Sequence, residues 1–574
     1  MKYLHYFETT SAFETERNGN YKEPWLSYTI GKGLDYNKSE EEKPLTFEIL
    51  SSGVINWTTS NASYHRTIEY RKNSGEWTEI TSDKDEVIIN SFIAEGVTYT
   101  DITVQTASQS IYKAKNGSTY VYFKIPLSVG SNIYESRSDC SSGTNPIGTV
   151  SSIDSETHIM PTINVIAGDI VEFRGNNNDY STSSSAICGT FDGTTCEFDV
   201  KGNIMSLIGG SNTIGSTYTF KSLFKNCTGL KSAKKLALSA TTLSNYCYSN
   251  MFQGCTSLTK APKLPATTLA NYCYYYMFQG CTSLANTPKL NTTTLSIGCY
   301  FNMFQGCTSL TTAPVLPATT LANNCYGYMF DGCTSLTTAP VLPATTLADS
   351  CYQNMFSNCS SLTSAPVLPA TTLVNQCYRS MFLGCTGLTT APELPATTLG
   401  TYCYAFMFSG CTGLTTAPEL PATTLVGYCY NYMFRGCTSL TTAPELPATT
   451  LANYCYQNMF SGCSSLTTAP ELPATTLANN CYEYMFNACT GLTTAPELPA
   501  TTLANYCYGY MFNGCSHLNY IKAMFTTTAS PTYTNYWVGG VAATGTFVKN
   551  SAAEWDVTGT NGIPSGWTVQ TASE

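Results

Sequence analysis

Cysteine is the most abundant residue in this chain that could do chemistry. There are 26 cysteines in 574 residues, and 23 of them lie between residues 221 and 520, where the spacings alternate between 8 and 18 residues from Cys247 onward. Such a pattern has three interpretations: a column of buried reduced thiols, a set of disulfides, or metal ligands. Zinc needs clusters of four ligands, and neither CxxC pairs nor array histidines other than His517 are present to complete them. No secretory signal is recognised, and stacked coils often contain free cysteines as small apolar residues, so we predict reduced, buried thiols and neither a metal nor a cofactor.

The sequence contains few residues that could act as general acids or bases. The four histidines are His5, His65, His158 and His517, and only thirteen residues between 243 and 518 are charged. Acid and base catalysis requires titratable groups that converge in one pocket. Asp169 and Glu172 are the nearest approach to a carboxylate pair, and we interpret them as turn and strand-surface residues. Phosphate loops and nucleophile elbows are not recognised, so the sequence predicts no catalytic residue and no enzyme.

One group of glutamates recurs in a single slot of the pattern: Glu393, Glu419, Glu445, Glu471 and Glu497. Stacked units would bring these carboxylates to about 5 Å from one another. Such a column could attract a cation, or it could be a solvated edge, because repulsion through water is mild. The same slot holds Lys263, Lys289 or Val315 in earlier copies, and we favour the solvated edge.

The overall charge excludes some classes of partner. The formal net charge is −10, and only 11% of residues are charged. A basic surface for phosphates is therefore missing, and we expect no nucleic-acid partner. No apolar run is long enough for a membrane helix, and the first residues lack the pattern of a secretory signal, so we expect no membrane partner and synthesis in a cytoplasm.

A period of 26 residues dominates the second half of the chain. The pair Met-Phe recurs at Met251, Met277, Met303, Met329, Met355, Met381, Met407, Met433, Met459, Met485 and Met511. A degenerate copy has Leu223 and Phe224 in these places. Units repeated at such a period bury their apolar faces against their neighbours. We predict a solenoid of about twelve turns over residues 211–520, in a chain that is mainly β with short helical turns.

Comparing the copies separates fixed from variable positions. The Leu, Cys-Tyr, Met-Phe and second Cys positions are nearly fixed and should fill the interior. The segment CYxxMFxGC fits one tight helical turn, and the proline in TAPEL argues for a short or irregular sheet. Variation concentrates before and after Cys-Tyr, where Tyr, Asn, Gln, Gly and Ser resemble the composition of antibody paratopes. These positions either face a ligand or simply face water; the candidate ligand-binding residues are Tyr276, Tyr328, Phe406, Tyr432, Tyr484 and Tyr510.

The remaining sequence divides into three parts. Residues 1–45 read as an extended arm or linker, and residues 46–210 as a β-sandwich with an insertion, or a second small β-domain, near 84–158. Residues 521–574 contain three of the six tryptophans. Because a terminal repeat exposes apolar surface and an open sheet edge, we predict that this last segment is a cap.

The array resembles the BspA-type, or treponemal, leucine-rich repeats. Their units read roughly Ile-Gly-x-x-Ala-Phe-x-x-Cys-x-x-Leu, and Phe278, Cys281 and Leu284 match the Phe, Cys and Leu. Cys273, Tyr274 and Met277 stand where Ile, Gly and Ala are usual, and the unit is a few residues longer. The resemblance covers about 221–520 and implies a right-handed stacked coil.

The arm YKEPWLSYT, the β region and the closing segment also look like proteins encoded by phages of gut Bacteroidales, including crAss-like phages. This second resemblance implies a virion-surface fibre or adhesin that is made in the host cytoplasm and released by lysis. Its N-terminal part would contact other virion proteins, and its repeats would bind host-surface or mucus glycans or proteins, with a homotrimer as the usual assembly. Two alternatives remain: a capsid or tail decoration protein that recognises nothing, and a bacterial cell-surface adhesin.

Overall fold

The chain is mainly β with almost no helix. A computed structural model describes residues 43–58, 68–80, 163–175, 190–191, 194–210, 214 and 217–572, together with the backbone of the strands between 86 and 149. The predicted arm over residues 1–45 lies outside the described residues except at its last positions. The strands before the repeats are β1 (Leu45–Ile49), β2 (Gly53–Ile55), β3 (Trp57–Thr58), β4 (Ile68–Lys72), β5 (Thr78–Ile80), β6 (Glu86–Ala94), β7 (Val97–Gln105), β8 (Ile111–Asn116), β9 (Thr119–Lys124), β10 (Asn132–Glu135), β11 (Pro146–Thr149), β12 (Ile163–Val165), β13 (Ile170–Gly175), β14 (Thr190–Phe191) and β15 (Phe198–Asn203).

A six-stranded sheet leads from the N-terminal region into the repeats. Its order is β16-β15-β1-β13-β4-β5, where β16 (Leu230–Ala237) belongs to the first repeat. Strand β15 is followed by a short 3-10 helix (Ile204–Ile208), and β15 pairs with β16 in parallel. On one face of this sheet Phe47 is fully buried, with its ring centroid 4.9 Å from Phe173 and 4.6 Å from Phe198. The alternation of apolar and polar residues in these strands therefore builds one buried face, as the sequence indicates.

Strands β6 to β11 form a separate sheet. Its order is β7-β6-β11-β10-β9-β8, and all its pairings are antiparallel. The strands that flank it in sequence, β5 and β12, belong to other sheets. This arrangement is compatible with an insertion near 84–158, whose extent stays a prediction.

The repeats contain an unusual chain of β-turns, which we call the turn ladder: residues 376–385 and their equivalents every 26 residues. Within one coil, every second amide closes a turn, as when Met381 N donates to Tyr378 O (3.1 Å). The amides in between donate to the next coil, as when Phe382 N donates to Met407 O (3.0 Å). Each coil is therefore held by local and inter-coil hydrogen bonds in alternation, and nearly every backbone donor of the ladder has a partner.

The predicted helical turn is wrong at these positions. Every fourth ladder residue has a positive φ, as at Gln376 (55°), Ser380 (54°) and Gly384 (69°), which an α-helix does not allow. A positive φ at the third residue is the arrangement of a type II turn. The alternating turns give a period of four, in which buried pairs such as Met381-Phe382 alternate with outward pairs. The apolar pairs Cys-Tyr and Met-Phe, four residues apart, follow this period.

The return path of each coil is extended but only sparsely paired; we call residues 389–398 and their equivalents the strand face. Pro392, Leu394 and Ala396 point inward, while Glu393 and Pro395 point outward. Adjacent coils meet here through single-residue parallel bridges, such as Thr390 with Thr416. Two prolines per coil remove the donors that a continuous ladder would need, so the predicted irregular sheet is confirmed.

Identical side chains stack in columns inside the array. Phe382 and Phe408 lie 5.7 Å apart with nearly parallel rings, and Tyr404 and Tyr430 lie 5.8 Å apart. Each of these rings is at most 1% exposed. Because every coil repeats the same apolar set, each ring is covered by its equivalents above and below.

The cysteines form two buried columns, as predicted. All 24 cysteines within the described residues are free and buried. In the column of the second cysteine, each thiol donates to a phenylalanine carbonyl of the preceding coil; Cys385 Sγ lies 3.0 Å from Phe356 O. That carbonyl also accepts Cys359 N at 3.1 Å. The thiol therefore links two coils, which explains cysteine rather than alanine or valine at this slot.

Both ends of the array are closed by aromatic residues. At the N-terminal end, Phe191 takes the place of a preceding coil: its ring stacks on Phe224 at 5.5 Å, and its carbonyl accepts Cys227 Sγ at 2.8 Å. At the C-terminal end the parallel strands β17 (Tyr520–Ala523), β18 (Thr546–Lys549) and β19 (Thr568–Thr571) form a three-stranded sheet, with helix α1 (Pro531–Thr534) between the first two.

The inter-coil hydrogen bonds of the turn ladder continue past residue 520. Phe512 N donates to Trp537 O (2.8 Å) and Gly514 N donates to Gly539 O (2.7 Å), which is the inter-coil pattern of the repeats. One further coil therefore stacks on the Met511 coil, and Trp537 occupies the Met slot. The cap begins with a modified repeat.

Candidate ligand-binding face

The variable positions line the outward side of the turn ladder. The six predicted residues are all half-buried, because neighbouring coils cover part of each ring. Phe406 and Tyr432 stack with centroids 4.6 Å apart, and Tyr484 and Tyr510 stack at 4.4 Å. The six residues are therefore exposed along their edges but do not form one continuous site.

Buried polar residues interrupt this column. Asn458, only 7% exposed, separates the Phe406–Tyr432 pair from the Tyr484–Tyr510 pair. Tyr276 and Tyr328 are separated in the same way by Asn302, and contact other rings instead: Tyr276 lies edge-on to Tyr275 at 4.1 Å, and Tyr328 is tilted against Phe301 at 5.4 Å.

A second aromatic column lies four residues earlier in each coil. Tyr402, Tyr428 and Tyr454 stack over three successive coils, with centroids 4.4 and 4.5 Å apart. The candidate list omitted these residues, although tyrosine recurs directly before Cys-Tyr in TYCY, GYCY and NYCY. We define the aromatic patch as these three tyrosines with Phe406 and Tyr432 of the adjacent column.

The backbone does not require tyrosine in these slots. Tyr402, Tyr428 and Tyr454 have φ between 56° and 61°, a region that costs a non-glycine residue about 1–2 kcal/mol. Gly298 and Asn324 fill the same slot in other coils and adopt that conformation more readily. Ring stacking returns about 0.5–1.5 kcal/mol per pair, and three rings form only two pairs, so stacking offsets only part of the strain. Stability alone therefore does not favour a tyrosine stack here.

Many amide side chains on this face bind one another. Gln279 Nε2 donates to Gln305 Oε1 at 2.5 Å, and Gln305 Nε2 donates to Asp331 Oδ2 at 2.8 Å. A second chain runs from Gln457 Nε2 to Glu483 Oε2 (2.7 Å). The expectation that amides serve as adaptable ligand contacts is therefore weakened at these positions, because they are engaged in holding the coils in register.

Two arginines flank the aromatic patch. The guanidinium carbon of Arg379 lies 5.6 Å from the Tyr402 ring centroid, and that of Arg435 lies 5.7 Å from the Tyr432 ring centroid. Burial, followed by the neighbouring hydroxyls of Tyr402 and Tyr454, raises the pKa of Tyr428 to about 12. The patch therefore combines a row of phenol groups, in which that of Tyr428 is protonated near neutral pH, with two arginines.

Other titratable residues, outside the repeats' aromatic columns, form hydrogen bonds and ion pairs that stabilise the fold. Asp169 binds Lys72 (2.6 Å) and the amide of Ile166 (2.8 Å), and Glu172 pairs with Arg71, which fits the predicted turn and strand-surface roles. His517 Nδ1 contacts Thr490 O at 2.6 Å. Among the described residues, no group of three or more His, Cys, Asp or Glu could hold a metal ion. The same part of the chain contains no helix long and apolar enough to cross a membrane.

One of the comparisons with known proteins, the match to a repeat family, agrees with the stacked-coil geometry. No curated protein matches the sequence. A solved structure that is similar is the crystal structure of a TLR13–ssRNA13 complex, with 12% identity and a TM-score of 0.24, covering 63% of this chain. The chain spans about half (53%) of the length of that protein. The BspA type leucine-rich repeat region matches in six copies over residues 211–329, 271–415 and 401–536, which together exceed half of the chain. The chain therefore belongs to the BspA-type leucine-rich repeat proteins.

Proposed function

We propose that this chain is a non-enzymatic binding protein of a phage virion surface, and that the aromatic patch on the turn ladder contacts the ligand. The observation that carries the proposal is the Tyr402–Tyr428–Tyr454 stack, together with Arg379 against the Tyr402 ring and Arg435 against the Tyr432 ring. Exposed tyrosine and arginine contribute disproportionately to binding energy at protein interfaces. Tyrosine and arginine are concentrated on this face, whereas the rest of the array carries few charges. This distribution favours a role in recognition over a purely structural role.

The stacking geometry restricts how a ligand would bind. At 4.4–4.5 Å the ring faces inside the stack are covered by the neighbouring ring, so a sugar cannot insert between the rings. The stack instead offers a row of ring edges and hydroxyl groups, and the arginines offer charge-assisted donors. A hydroxyl-rich ligand with carboxylate or sulfate groups, such as an acidic glycan of a host surface or of mucus, fits this chemistry better than a neutral sugar that stacks on an open ring.

The remaining parts of the proposal concern assembly. The N-terminal β region would dock on other virion proteins and the repeats would project outward. Release by host lysis accounts for a protein that is made in the cytoplasm and acts outside it. The second resemblance described above supports this placement.

The binding role is tested with the triple variant Tyr402→Ala/Tyr428→Ala/Tyr454→Ala on an array of neutral and acidic glycans and on gut Bacteroidales cells. We expect affinity to fall by about 2 kcal/mol or more, roughly 30-fold, because the stack is removed. Thr389→Ala/Thr415→Ala/Thr441→Ala is the matched control, since it removes exposed side chains from the strand face. Treating the cells with periodate or with protease shows whether the ligand is a glycan or a protein. Equal binding by both variants, or no binding by the unmodified chain, contradicts the proposal.

The virion role is tested separately by deleting residues 221–520 in the phage. Lost adsorption by intact particles supports a receptor-binding protein. Fragile particles that adsorb normally identify a decoration protein instead. Secretion of the chain by uninfected bacteria identifies a cell-surface adhesin.

A further inference from the structure

The strand face carries one outward column whose chemistry changes along the array. The column is formed by the residue directly before the inward-pointing leucine of the strand face, as Glu393 precedes Leu394, and every member is exposed. In order along the stack it contains Lys235, Lys263, Lys289, Val315, Val341, Val367, Glu393, Glu419, Glu445, Glu471 and Glu497. Lys235 belongs to this column because β16 is the first strand of the array and its Ser232 pairs with Lys260 of the next coil. The column therefore runs from positive through apolar to negative.

The three valines are the most exposed large apolar residues of the array. Val315 and Val341 are each 78% exposed, and Val367 is 77% exposed. They lie on successive coils, and therefore form one apolar strip about 10 Å long between the two charged ends. A contiguous exposed apolar patch that is bordered by charge is typical of an interaction site.

The order of residues is antisymmetric about Val341. One coil away on each side lie Val315 and Val367, two coils away Lys289 and Glu393, and three coils away Lys263 and Glu419. The next pair outward is Lys235 and Glu445. Consider two copies whose columns face each other, related by a two-fold axis that lies in the interface at Val341 and runs perpendicular to the column. This axis places every lysine of the antisymmetric span in one copy opposite a glutamate of the other.

We propose that this column is a dimer interface between two copies of the chain, packed antiparallel about Val341. A two-fold interface brings the same surface of both copies together, so it must be complementary to itself. The lysine–valine–glutamate order satisfies this condition without any other partner. This inference is independent of the ligand-binding proposal, because the strand face and the turn ladder are different surfaces of each coil.

The charges of the column have few alternative partners within the chain. Lys289 and Glu393 are four coils apart, about 19 Å, which exceeds the Debye length of about 8 Å at physiological salt. Within the described residues Glu497 forms an ion pair with Lys522 (3.0 Å), but this glutamate lies outside the antisymmetric span. The lysines and glutamates inside the span thus remain available to a second copy.

The dimensions are adequate for a specific dimer. From Lys235 to Glu445 the column covers eight inter-coil steps, about 38 Å, and the exposed residues of the strand face extend about 20 Å across it. The resulting face, about 760 Å² per copy, is close to the roughly 800 Å² that each partner buries in a standard protein interface. Valines at the centre and charges at the periphery follow the usual division into apolar core and polar rim.

The test measures the mass of the full chain by sedimentation at micromolar concentration. The unmodified chain is expected at twice 62.2 kDa. Lys263→Glu/Lys289→Glu places glutamate against glutamate, and Glu393→Lys/Glu419→Lys places lysine against lysine, so each variant alone is expected at the monomer mass. All four substitutions in one chain restore opposite charges and are expected to restore the dimer. A mixture of the two double variants is expected to form the heterodimer.

The control is Glu76→Lys/Glu554→Lys, which changes the net charge as much as Glu393→Lys/Glu419→Lys does but replaces exposed glutamates outside the column. It is expected to remain dimeric. Circular dichroism establishes that each variant is folded, which exposed substitutions should permit. A monomeric unmodified chain overturns the proposal. Dimers that persist in both double variants, or a folded four-fold variant that stays monomeric, also overturn it.

Discussion

Raising the pH from 8 to 10 is expected to unfold the repeat array. Burial raises the pKa of many array thiols from the ordinary value of 9.0; nine reach about 12, at Cys273, Cys307, Cys325, Cys377, Cys411, Cys429, Cys463, Cys507 and Cys515. A group whose pKa is higher in the folded than in the unfolded state stabilises the fold fully below the unfolded pKa. That stability is lost as pH rises from about 9 towards 12.

The size of the alkaline effect follows from the number of thiols. At pH 10 each such thiol costs on the order of 1 kcal/mol, and nine together cost on the order of 10 kcal/mol, which is comparable to the whole unfolding free energy of a typical domain. Far-ultraviolet circular dichroism between pH 8 and 11 measures the transition. A native spectrum retained at pH 11 would contradict the linkage between burial and thiol ionisation.

Thiol labelling provides the control for this prediction. At pH 7 the 24 cysteines within the described residues should resist a thiol reagent, because they are buried and protonated. In denaturant without reductant they should all react. Labelling that appears together with the loss of circular dichroism assigns the transition to the array.

Replacing Trp537 by alanine is expected to destabilise the C-terminal end of the array by about 3–5 kcal/mol. The Trp537 side chain is fully buried, its ring centroid lies 5.9 Å from that of Phe525, and its indole nitrogen donates to Gly562 O at 2.8 Å. Its loss opens a cavity above the Met511 coil and leaves a carbonyl without its donor. Stacked repeats depend on nearest-neighbour contacts, so the loss should spread inward from this end.

Tyr536→Ala is the matched control for the cap, because Tyr536 is the adjacent residue and is 50% exposed. It is expected to change the unfolding free energy by less than about 1 kcal/mol. Urea unfolding measures both variants, and hydrogen exchange locates the change in the last coils. Equal stability of the two variants would show that Trp537 does not close the array.

The sequence predicted the stacking because the signal is an explicit period. Met-Phe recurs every 26 residues, and the structure places Met303 O 2.9 Å from Phe278 N of the previous coil. Pro392, the proline in TAPEL, predicted an irregular sheet for a local reason, since proline has no backbone donor. Free, buried thiols followed from the stacked-coil interpretation. In each case the structural feature follows from the type of residue and its position in the repeat.

The turn ladder could not be predicted in the same way. Its bonds connect residues about 25 positions apart, and its positive φ values fall on tyrosines such as Tyr402 and Tyr428, which sequence preferences assign elsewhere. A pair of apolar residues every four positions looks like one turn of helix when it is read locally. The last coil was missed because Trp-Val replaces Met-Phe, although Tyr536 and Gly540 stand 26 residues after Tyr510 and Gly514.

The candidate site was predicted only in part. The slot of Phe406 and Tyr432 lies on the outward face and also holds the stack of Tyr484, Tyr510 and Tyr536. A further three-ring stack uses the slot of Tyr402, Tyr428 and Tyr454, which was not predicted. Both slots vary among copies, and the variation alone does not show which of them aligns its rings across coils. That alignment depends on the inter-coil geometry.

The stacking of successive 26-residue units is tested most directly by distances between spin labels on the strand face. Thr312, Thr416 and Thr468 are exposed and lie four and six coils apart, and labels at cysteines introduced there should be selective because the native thiols are buried. At one strand spacing per coil, the Thr312→Cys/Thr416→Cys pair should give a backbone separation of about 19 Å, and the Thr312→Cys/Thr468→Cys pair about 29 Å. Distances that do not increase in proportion to the number of coils would contradict the stacked array.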